Sequence, residues 1–145
     1  MPSVAEIMTT DVQVIEPQDT LRRAATLMQT LDIGALPVCD GERLLGMVTD
    51  RDIAIYGVAE GLNPDEACVS DVMTETVEYC TGDQDTEEVM RLMGDKQVRR
   101  LPVVDTDHKL VGIVSLGDLA VRQVGHVDRM VREVSVPGHP SGGSA

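Results

Sequence analysis

The sequence predicts an α+β protein that is built from two copies of one βαββα unit along its 145 residues. Three observations predict this fold: the chain repeats itself, short apolar runs are joined by hairpin signals, and apolar residues recur at helical spacing between those runs. The hydrophobic content is 42%, with no Trp or Phe. The core must therefore consist mainly of aliphatic side chains.

The repeat is visible as residues that match at a nearly constant offset. The segment VAEIMTTDVQV (4–14) resembles VSDVMTETVEY (69–79), and the offset of 65 also carries LPV at 36–38 onto LPV at 101–103. One residue is inserted in the loop that follows, after which the offset is 66. A series of matches at constant offset that is interrupted once, in a loop, indicates a tandem repeat.

The repeat predicts three parts of the chain. Residues 1–62 form the first domain, including an N-terminal linker segment, and residues 63–136 form the second domain. The polar stretch EGLNPDEACV (60–69) joins the halves, and the Gly-, Ser- and Pro-rich residues 137–145 are predicted to be a flexible tail.

Both repeats have the predicted order strand, helix, strand, strand, helix. In the first repeat a helix covers residues 19–32, with Asp19 or Thr20 as N-cap, and DGE joins the strands ALPVCD and RLLGMVT as a hairpin. The helix DIAIYGVAEG follows and ends near Gly61. The second repeat supplies TEEVMRLMGDKQ, LPVVD, KLVGIVS and the helix DLAVRQVGHVDRMVREV.

Composition excludes several classes of function. The 25 acidic residues outnumber the 12 Lys and Arg, which gives a formal net charge of −13. This charge disfavours binding to nucleic acid and to anionic membranes, because both need clustered basic residues. There is no secretory signal pattern or apolar run of membrane-spanning length, and the three cysteines lack C-x-x-C spacing. We therefore expect a cytoplasmic protein.

The stretches GMVTDRD (46–52) and GIVSLGD (112–118) occupy matching places where a predicted strand ends and a helix begins. Thr-x-x-Asp and Ser-x-x-Asp before an apolar helix are capping-box patterns. For a single occurrence this structural interpretation is favoured.

The same geometry can also bind a ligand, and capping and binding are compatible. The hydroxyl groups of Thr49 and Ser115 can hydrogen-bond a phosphate at the start of a helix, where backbone N–H groups are free. A carboxylate one turn later can accept hydrogen bonds from the hydroxyls of a ribose. The glycine that opens each stretch would let the strand pass close to a ligand or a helix.

Other chemistry is weakly indicated. His108, His126 and His139 have no metal-ligand spacing, so we predict no metal site. Cys39 and Cys80 are predicted to be small buried residues, while Cys68, in the joint, remains open as a redox-sensitive thiol. There is no nucleophile paired with a base and no Walker-type loop, so we expect neither an enzyme nor a required cofactor.

The repeated patterns LPV…GMVTDRD and LPV…GIVSLGD resemble the cystathionine-β-synthase (CBS) domain over residues 3–134. Two such domains in tandem form a CBS pair, or Bateman module. The chain is particularly similar to the small stand-alone two-CBS proteins of bacteria, including the hypoxic-response type. The resemblance implies two βαββα units packed by pseudo-twofold symmetry, and often a homodimer. It also implies that AMP, ADP or ATP (ATP with Mg²⁺) binds in clefts between the repeats.

The resemblance also implies roles for individual residues. It places Thr49 and Ser115 on phosphate, and Asp52 and Asp118 on ribose. The cleft of Asp52 would draw on Thr74, Val77, Val98, Arg99 and Arg100. The cleft of Asp118 would draw on Thr9, Val12, Ile33, Gly34 and Ala35. Arg99 and Arg100 suit phosphate because guanidinium groups pair with it bidentately. Asp50 adds a carboxylate beside one proposed phosphate, and Arg51 could neutralise it.

The function implied is a non-catalytic energy or stress sensor, in which an adenosyl ligand changes the packing of the repeats or of a dimer and thereby acts on a client protein. The alternative is a structural or protein-interaction module with empty clefts, whose dimer surface or amphipathic helices are its working part.

Overall fold

In the computed structural model of the chain, the described residues are 2–75 and 78–122, with the side chain of Arg122 excepted. They divide into two units. The first-repeat unit contains residues 13–75, and the second-repeat unit contains residues 2–12 together with 78–122. The N-terminal segment therefore belongs to the unit of the second repeat. The domain boundaries at residues 62 and 136 rest on the sequence repeat and stay a prediction.

The described helices and strands follow the predicted order in both repeats, and the α+β class is confirmed. In chain order they are α1 (Val4–Ile7), α2 (Leu21–Leu31), β1 (Ala35–Asp40), β2 (Arg43–Thr49), α3 (Asp50–Asp52), a π-helix (Ile53–Val58), a 3₁₀-helix (Val69–Asp71), β3 (Cys80–Thr81), α4 (Thr86–Lys96), β4 (Arg100–Val104), β5 (Leu110–Ser115) and α5 (Leu116–Arg122).

Each unit contains an antiparallel hairpin with a further parallel contact along its first strand. β1 pairs with β2, and Ile15 forms a parallel bridge to Val38. β4 pairs with β5, and β3 runs parallel to β4 with Cys80 opposite Val103. The first predicted strand of each repeat is thus present, as a single bridge in one unit and as two residues in the other.

The helices α2 and α4 begin at polar caps. The Thr20 hydroxyl oxygen accepts a hydrogen bond from the Arg23 N–H at 3.1 Å, and an Asp85 carboxylate oxygen accepts one from the Glu87 N–H at 3.0 Å. Thr20, rather than Asp19, is therefore the N-cap of α2. The predicted helix over 19–32 is confirmed as Leu21–Leu31.

The cores of both units are aliphatic, as predicted. In the first-repeat unit the buried cluster consists of Ile15, Leu21, Ala24, Met28, Leu36, Val38, Val48, Val69 and Val72. In the second-repeat unit it consists of Val4, Cys80, Val89, Met93, Leu101, Val103, Val114, Leu116 and Leu119. In both units, apolar residues from one face of a long helix cover the apolar side of a hairpin.

The helix predicted after β2 is not a regular α-helix. After the single turn of α3 it continues as a π-helix, in which the Ala59 N–H donates to the Ala54 carbonyl at 3.0 Å. Gly57 is buried on this helix, and a Cβ added there would stand 3.0 Å from the Cδ1 atom of Leu21. The missing side chain allows the wider turn to pack closely against α2.

The polar joint packs onto α2. The N–H groups of Leu21 and Arg22 donate to the carbonyls of Ala67 and Pro64 at 3.1 and 3.0 Å. The Arg22 guanidinium also pairs with the Asp65 carboxylate and lowers the pKa of that carboxyl. The joint is thus anchored by backbone hydrogen bonds to the first-repeat unit.

Two sequence predictions extend past the part of the chain that the structure describes. The sequence predicts a last helix that runs to residue 134, and the structure describes α5 from Leu116 to Arg122. The predicted tail at 137–145 lies wholly outside the described residues. Within residues 2–75 and 78–122, no helix is long and apolar enough to cross a membrane.

Candidate functional site

The stretch GMVTDRD is a strand end followed by a complete capping box. The Thr49 hydroxyl accepts a hydrogen bond from the Asp52 N–H at 3.0 Å, and an Asp52 carboxylate oxygen, Oδ2, accepts one from the Thr49 N–H at 3.0 Å. Asp52 is only 9% exposed. The capping prediction is confirmed in this repeat.

The matching stretch GIVSLGD has the same arrangement in the second-repeat unit. The Ser115 hydroxyl accepts from the Asp118 N–H at 3.1 Å, and Asp118 Oδ2 accepts from the Ser115 N–H at 3.3 Å. Asp118 is half-buried. A hydroxyl and a carboxylate are thus fixed side by side at the end of β2 and again at the end of β5.

Each of these carboxylates keeps one oxygen without a protein donor. Oδ1 of Asp52 and Oδ1 of Asp118 accept no hydrogen bond from any residue within 2–75 or 78–122. Buried polar atoms are normally hydrogen-bonded, so an unpaired oxygen on a carboxylate as buried as Asp52 requires an explanation. Such an oxygen can accept a hydrogen bond from a ligand hydroxyl while the other oxygen holds the helix start.

A backbone segment crosses each of these strands beside the capping box. The N–H groups of Met47 and Thr74 each donate to the other residue's carbonyl, at 3.0 and 2.9 Å. Thr9 and Ile113 exchange the same pair of hydrogen bonds at 2.8 and 2.9 Å. The resemblance assigned Thr74 to the site of Asp52 and Thr9 to that of Asp118, and each lies along the strand that ends at that site.

This crossing gives a structural reason for the repeated glycines, Gly46 and Gly112. A Cβ at Gly46 would collide with the carbonyl of Thr74, and a Cβ at Gly112 would lie 2.9 Å from the carbonyl oxygen of Thr9. The close neighbour of Gly46 is thus the Thr74 backbone, and the close neighbours of Gly112 are the Met8 side chain and the Thr9 backbone. The approach of a ligand to these glycines stays a prediction. The sequence signal was present, since both glycines occupy the same place in the repeat.

The hairpin register places a different residue beside the hydroxyl in each unit. Ala35 lies opposite Thr49, and Arg100 lies opposite Ser115. In antiparallel pairs, directly opposed side chains stand on the same face of the sheet. The sequence does not predict that Ala35 pairs with Thr49 or Arg100 with Ser115. Each hairpin contains a register shift, after Val38 in one and after Val103 in the other, so counting residues back from the loop gives the wrong partners.

The residues just before these strands lie against the start of the following helix. The Asp50 N–H donates to the Gly34 carbonyl at 2.9 Å, and the Leu116 N–H donates to the Arg99 carbonyl at 2.8 Å. One residue earlier, the N–H groups of Ile33 and Val98 donate to the last turns of α2 and α4.

Within the first-repeat unit the structure therefore brings together six of the predicted residues: Thr49, Asp52, Thr74, Ile33, Gly34 and Ala35. Within the second-repeat unit it brings together Ser115, Asp118, Thr9, Val98, Arg99 and Arg100. The family resemblance assigns residues 98–100 to the site of Asp52 and residues 33–35 to the site of Asp118. That allocation stays a prediction. Val12 is half-buried, and Val77 lies outside the described residues.

The two groups differ in charge. Arg100 is half-buried and makes no ion pair with any residue that the structure describes. Its counterpart Ala35 carries no charge, and the first-repeat group has Asp50 in addition to Asp52. An Asp50 carboxylate oxygen accepts a hydrogen bond from the backbone N–H of Arg51 at 2.8 Å. The exposed Arg51 side chain forms no ion pair with that carboxylate.

Other candidate chemistry lies apart from these groups. His108 packs edge-on against Tyr79, with ring centroids 5.0 Å apart, while His126 and His139 lie outside the described residues. Within 2–75 and 78–122 no three His, Cys, Asp or Glu side chains are grouped to hold a metal. Burial raises the pKa of the Cys39 thiol to about 11 and that of Cys80 to about 12, which disfavours the reactive thiolate.

Comparison with known proteins gives relatives of similar length. The chain is 44% identical over 124 residues to the CBS domain-containing protein YhcV of Bacillus subtilis, covering 86% of this chain and 87% of the relative. It is 41% identical over 121 residues to hypoxic response protein 1 of Mycobacterium tuberculosis, covering 83% and 84%.

Solved structures agree with these relatives. Hypoxic Response Protein I, solved with two coordinated zinc ions, matches with a TM-score of 0.76 at 41% identity over 84% of this chain and 99% of the other. CBSX2 in complex with AMP matches with a TM-score of 0.76 at 29% identity over 89% and 100%. The family model of the CBS domain matches twice, at residues 4–58 and 69–125. The chain therefore belongs to the CBS domain family, as a tandem pair.

Proposed function

We propose that this CBS pair is a regulatory module that binds an adenine nucleotide such as AMP, ADP or ATP, the last with Mg²⁺. The observation that carries the proposal is the repeated pairing of a strand-end hydroxyl with a carboxylate that keeps one oxygen unpaired. Family membership supports the ligand class, since a relative of the same fold was solved in complex with AMP.

In this proposal each residue has a role that its chemistry allows. The hydroxyl of Ser115 can donate to a phosphate oxygen, because in the capping box it serves only as an acceptor for the Asp118 N–H. Asp118 Oδ1 accepts a hydrogen bond from a ribose hydroxyl, while Oδ2 keeps its bond to Ser115. The backbone of Thr9, held against Ile113, borders the same strand end. Thr49, Asp52 and Thr74 have the same roles in the first-repeat unit.

The proposed action is regulatory and not catalytic. A ligand that binds one packing of the chain better than another shifts the population between them by the ratio of the two affinities. We propose that the responding assembly is a homodimer, that a client protein senses the change, and that the protein acts in the cytoplasm. No required cofactor or resident metal is part of this proposal.

The first test is thermal unfolding followed by circular dichroism, because the chain has no Trp to report by fluorescence. AMP, ADP, ATP with Mg²⁺, NADH and S-adenosylmethionine are compared. A ligand present at 100 times its dissociation constant adds about 2.7 kcal/mol, which raises the melting temperature by about 5–10 °C for a chain of this size.

A matched pair of variants tests whether the ligand-induced rise in melting temperature depends on Asp118. Asp118→Asn keeps an acceptor for the Ser115 N–H but removes the negative charge, so the fold is retained and the ligand shift is expected to fall sharply. Asp95→Asn, on the exposed face of α4, makes the same chemical change away from the site and should leave the shift intact. An unchanged shift in both Asp118→Asn and Asp52→Asn would contradict the proposed sites.

The alternative is a ligand-free interaction module. Ile55, Tyr56 and Val58 are 42%, 55% and 72% exposed along the π-helix, which favours an apolar contact surface there. The absence of any thermal shift with all five ligands, together with a partner whose binding ignores nucleotide, would support this alternative.

A further inference from the structure

We infer that residues 2–12 form a strap that controls the Ser115 site: the site binds its ligand when the strap is closed on the second-repeat unit, and loses it when the strap opens. This inference rests on the proposed function, and it adds a form of regulation to one of the proposed sites. It follows from the contacts that tie the strap to both elements that carry the site, β5 and α5.

The strap is joined to the second-repeat unit by non-covalent contacts. Residues 2–12 belong to that unit, while the chain that follows them, residues 13–75, belongs to the other unit. The Val4 N–H donates to the Gln84 carbonyl at 3.0 Å, and the Ala5 N–H donates to the Gly82 carbonyl at 2.9 Å. Because no residue of β3, α4, β4, β5 or α5 lies in the strap, it can open while those elements keep their path.

The strap buries little of its own surface. Val4 is fully buried, with 0% exposed, and Ile7 and Met8 are half-buried, whereas Ala5 and Glu6 are exposed. Its helix α1 has four residues, which is too short to be stable without the contacts that it makes. Segments with few buried apolar side chains open at a lower free energy than the core, so we expect the strap to open while the core stays folded.

The strap supports β5 close to Ser115. The N–H groups of Thr9 and Ile113 each donate to the other residue's carbonyl, at 2.8 and 2.9 Å, and Met8 packs over Gly112. When the strap opens, both backbone groups of Ile113 lose these partners, and β5 becomes an unpaired edge two residues before Ser115.

The strap also supports α5 on both sides of Asp118. Val4 belongs to the buried cluster that contains Leu116 and Leu119, and these two residues flank Asp118 in the sequence. Removing Val4 leaves a cavity beside the first turn of α5. The strap therefore holds the strand that carries Ser115 and the helix that carries Asp118, so a ligand that needs both groups favours the closed strap. By linkage, the closed strap raises the affinity for that ligand to the same extent.

The first measurement is hydrogen exchange of single amides in the full chain, followed by NMR. Without ligand, the N–H groups of Val4, Ala5 and Thr9 should exchange about tenfold or more faster than those of the central strand β4, because they are released without unfolding of the core. AMP at about 100 times its dissociation constant should slow them by up to about a hundredfold. Equal exchange in the strap and in β4, or strap exchange that bound AMP leaves unchanged, would overturn the inference.

The second measurement is the AMP affinity of a variant whose strap is weakened. Val4→Asn places a polar group in the apolar cluster, and circular dichroism checks that the variant is folded. Calorimetric titration should show that it binds AMP about tenfold more weakly, because only the closed fraction binds. Val121→Asn makes the same change at a valine of α5 that is 73% exposed, and it should leave the AMP affinity unchanged.

A disulfide tests whether closing the strap is enough to restore the site. A Cβ atom placed on Gly82 would lie 3.2 Å from the Cβ atom of Ala5, which is close to the usual spacing across a disulfide. Ala5→Cys and Gly82→Cys are combined in a chain that also carries Cys68→Ser, which removes the half-buried native thiol. When Val4→Asn is added, oxidation should return the AMP affinity to that of the unmodified protein, and reduction should weaken it again.

Two results of this experiment would overturn the inference. If oxidation closes the disulfide within the chain and the AMP affinity stays weak, Val4→Asn acts on the core and not through the strap. If the disulfide joins two chains, seen as a doubled mass without reductant, the strap comes from a second copy. The exchange measurement decides the question in the unmodified protein even where Val4→Asn does not fold.

The outcomes separate the two proposals. If none of AMP, ADP and ATP with Mg²⁺ binds the unmodified protein, the proposed function fails and the coupling fails with it. If AMP binds but Val4→Asn and the disulfide leave its affinity unchanged, the proposed function stands and the strap is wrong.

Discussion

A Cβ atom on Gly112 would lie 2.9 Å from the carbonyl oxygen of Thr9, and 2.7 Å from the sulfur of Met8. Real Cβ atoms do not approach other atoms so closely, so the N-terminal segment can cross β5 only where the strand has no side chain. Gly46 has the same relationship to Thr74 in the other unit. One contact therefore explains why both repeats carry glycine at this place, and it holds Thr9 and Thr74 beside the candidate sites.

We expect Gly112→Ala and Gly46→Ala each to lower the free energy of unfolding by about 1–3 kcal/mol, because the added methyl must displace a hydrogen-bonded backbone. Urea unfolding followed by circular dichroism measures this. Gly94→Ala is the control, since nothing lies within 4 Å of a Cβ there and the residue is inside α4. Alanine should be neutral or stabilising there by up to about 1 kcal/mol. Equal effects at all three positions would contradict the crossing contact.

The N-cap of α2 gives a second prediction. Thr20→Ala removes the acceptor for the Arg23 N–H and should cost about 1 kcal/mol. Thr26→Ala, on the exposed side of the same helix, makes the same change without a cap and should be neutral or slightly stabilising. The comparison uses the same urea titration, and a loss at Thr26 as large as at Thr20 would show that the cap is unimportant.

The cysteines should differ in reactivity. Cys39 and Cys80 are buried with raised pKa values, whereas Cys68 is half-buried at the start of the 3₁₀-helix. Iodoacetamide at pH 8 should therefore label Cys68 in the native protein and all three cysteines in urea, as counted by mass spectrometry. Rapid labelling of Cys39 or Cys80 without denaturant would contradict the burial.

The buried thiols also predict a loss of stability in alkali. Below pH 9 a thiol is protonated in both states, but between pH 9 and about 11 the Cys39 thiol ionises only in the unfolded chain, which favours unfolding. The free energy of unfolding should fall there by about 1.4 kcal/mol for each pH unit. The variant Cys39→Val introduces the residue found at the matching position of the second repeat, Val104. It should lose the part of the pH dependence that comes from the Cys39 thiol. If the free energy of unfolding depends on pH in the same way for Cys39→Val and for the unmodified protein, the prediction is wrong.

The proposed homodimer has a simple measurement. Light scattering after size-exclusion chromatography should give a mass of twice 15.6 kDa, with and without AMP. A mass of 15.6 kDa that persists at high protein concentration would mean that any ligand acts on a single chain.

The sequence by itself determined the repeat, the βαββα order, the aliphatic core and both capping boxes. These features are local or periodic: the Thr49–Asp52 and Ser115–Asp118 pairs lie within one helical turn, so spacing alone predicts their hydrogen bonds. Family resemblance added the candidate ligand, which the spacing does not name.

The tertiary structure decided what depends on residues distant in sequence. It showed that backbone crosses Gly46 and Gly112, that Gly57 lies on a π-helix against Leu21, and that Ala35 and Arg100 stand opposite the two hydroxyls. No local pattern predicts these features, because each depends on where the chain returns in space and on a register shift inside the hairpin.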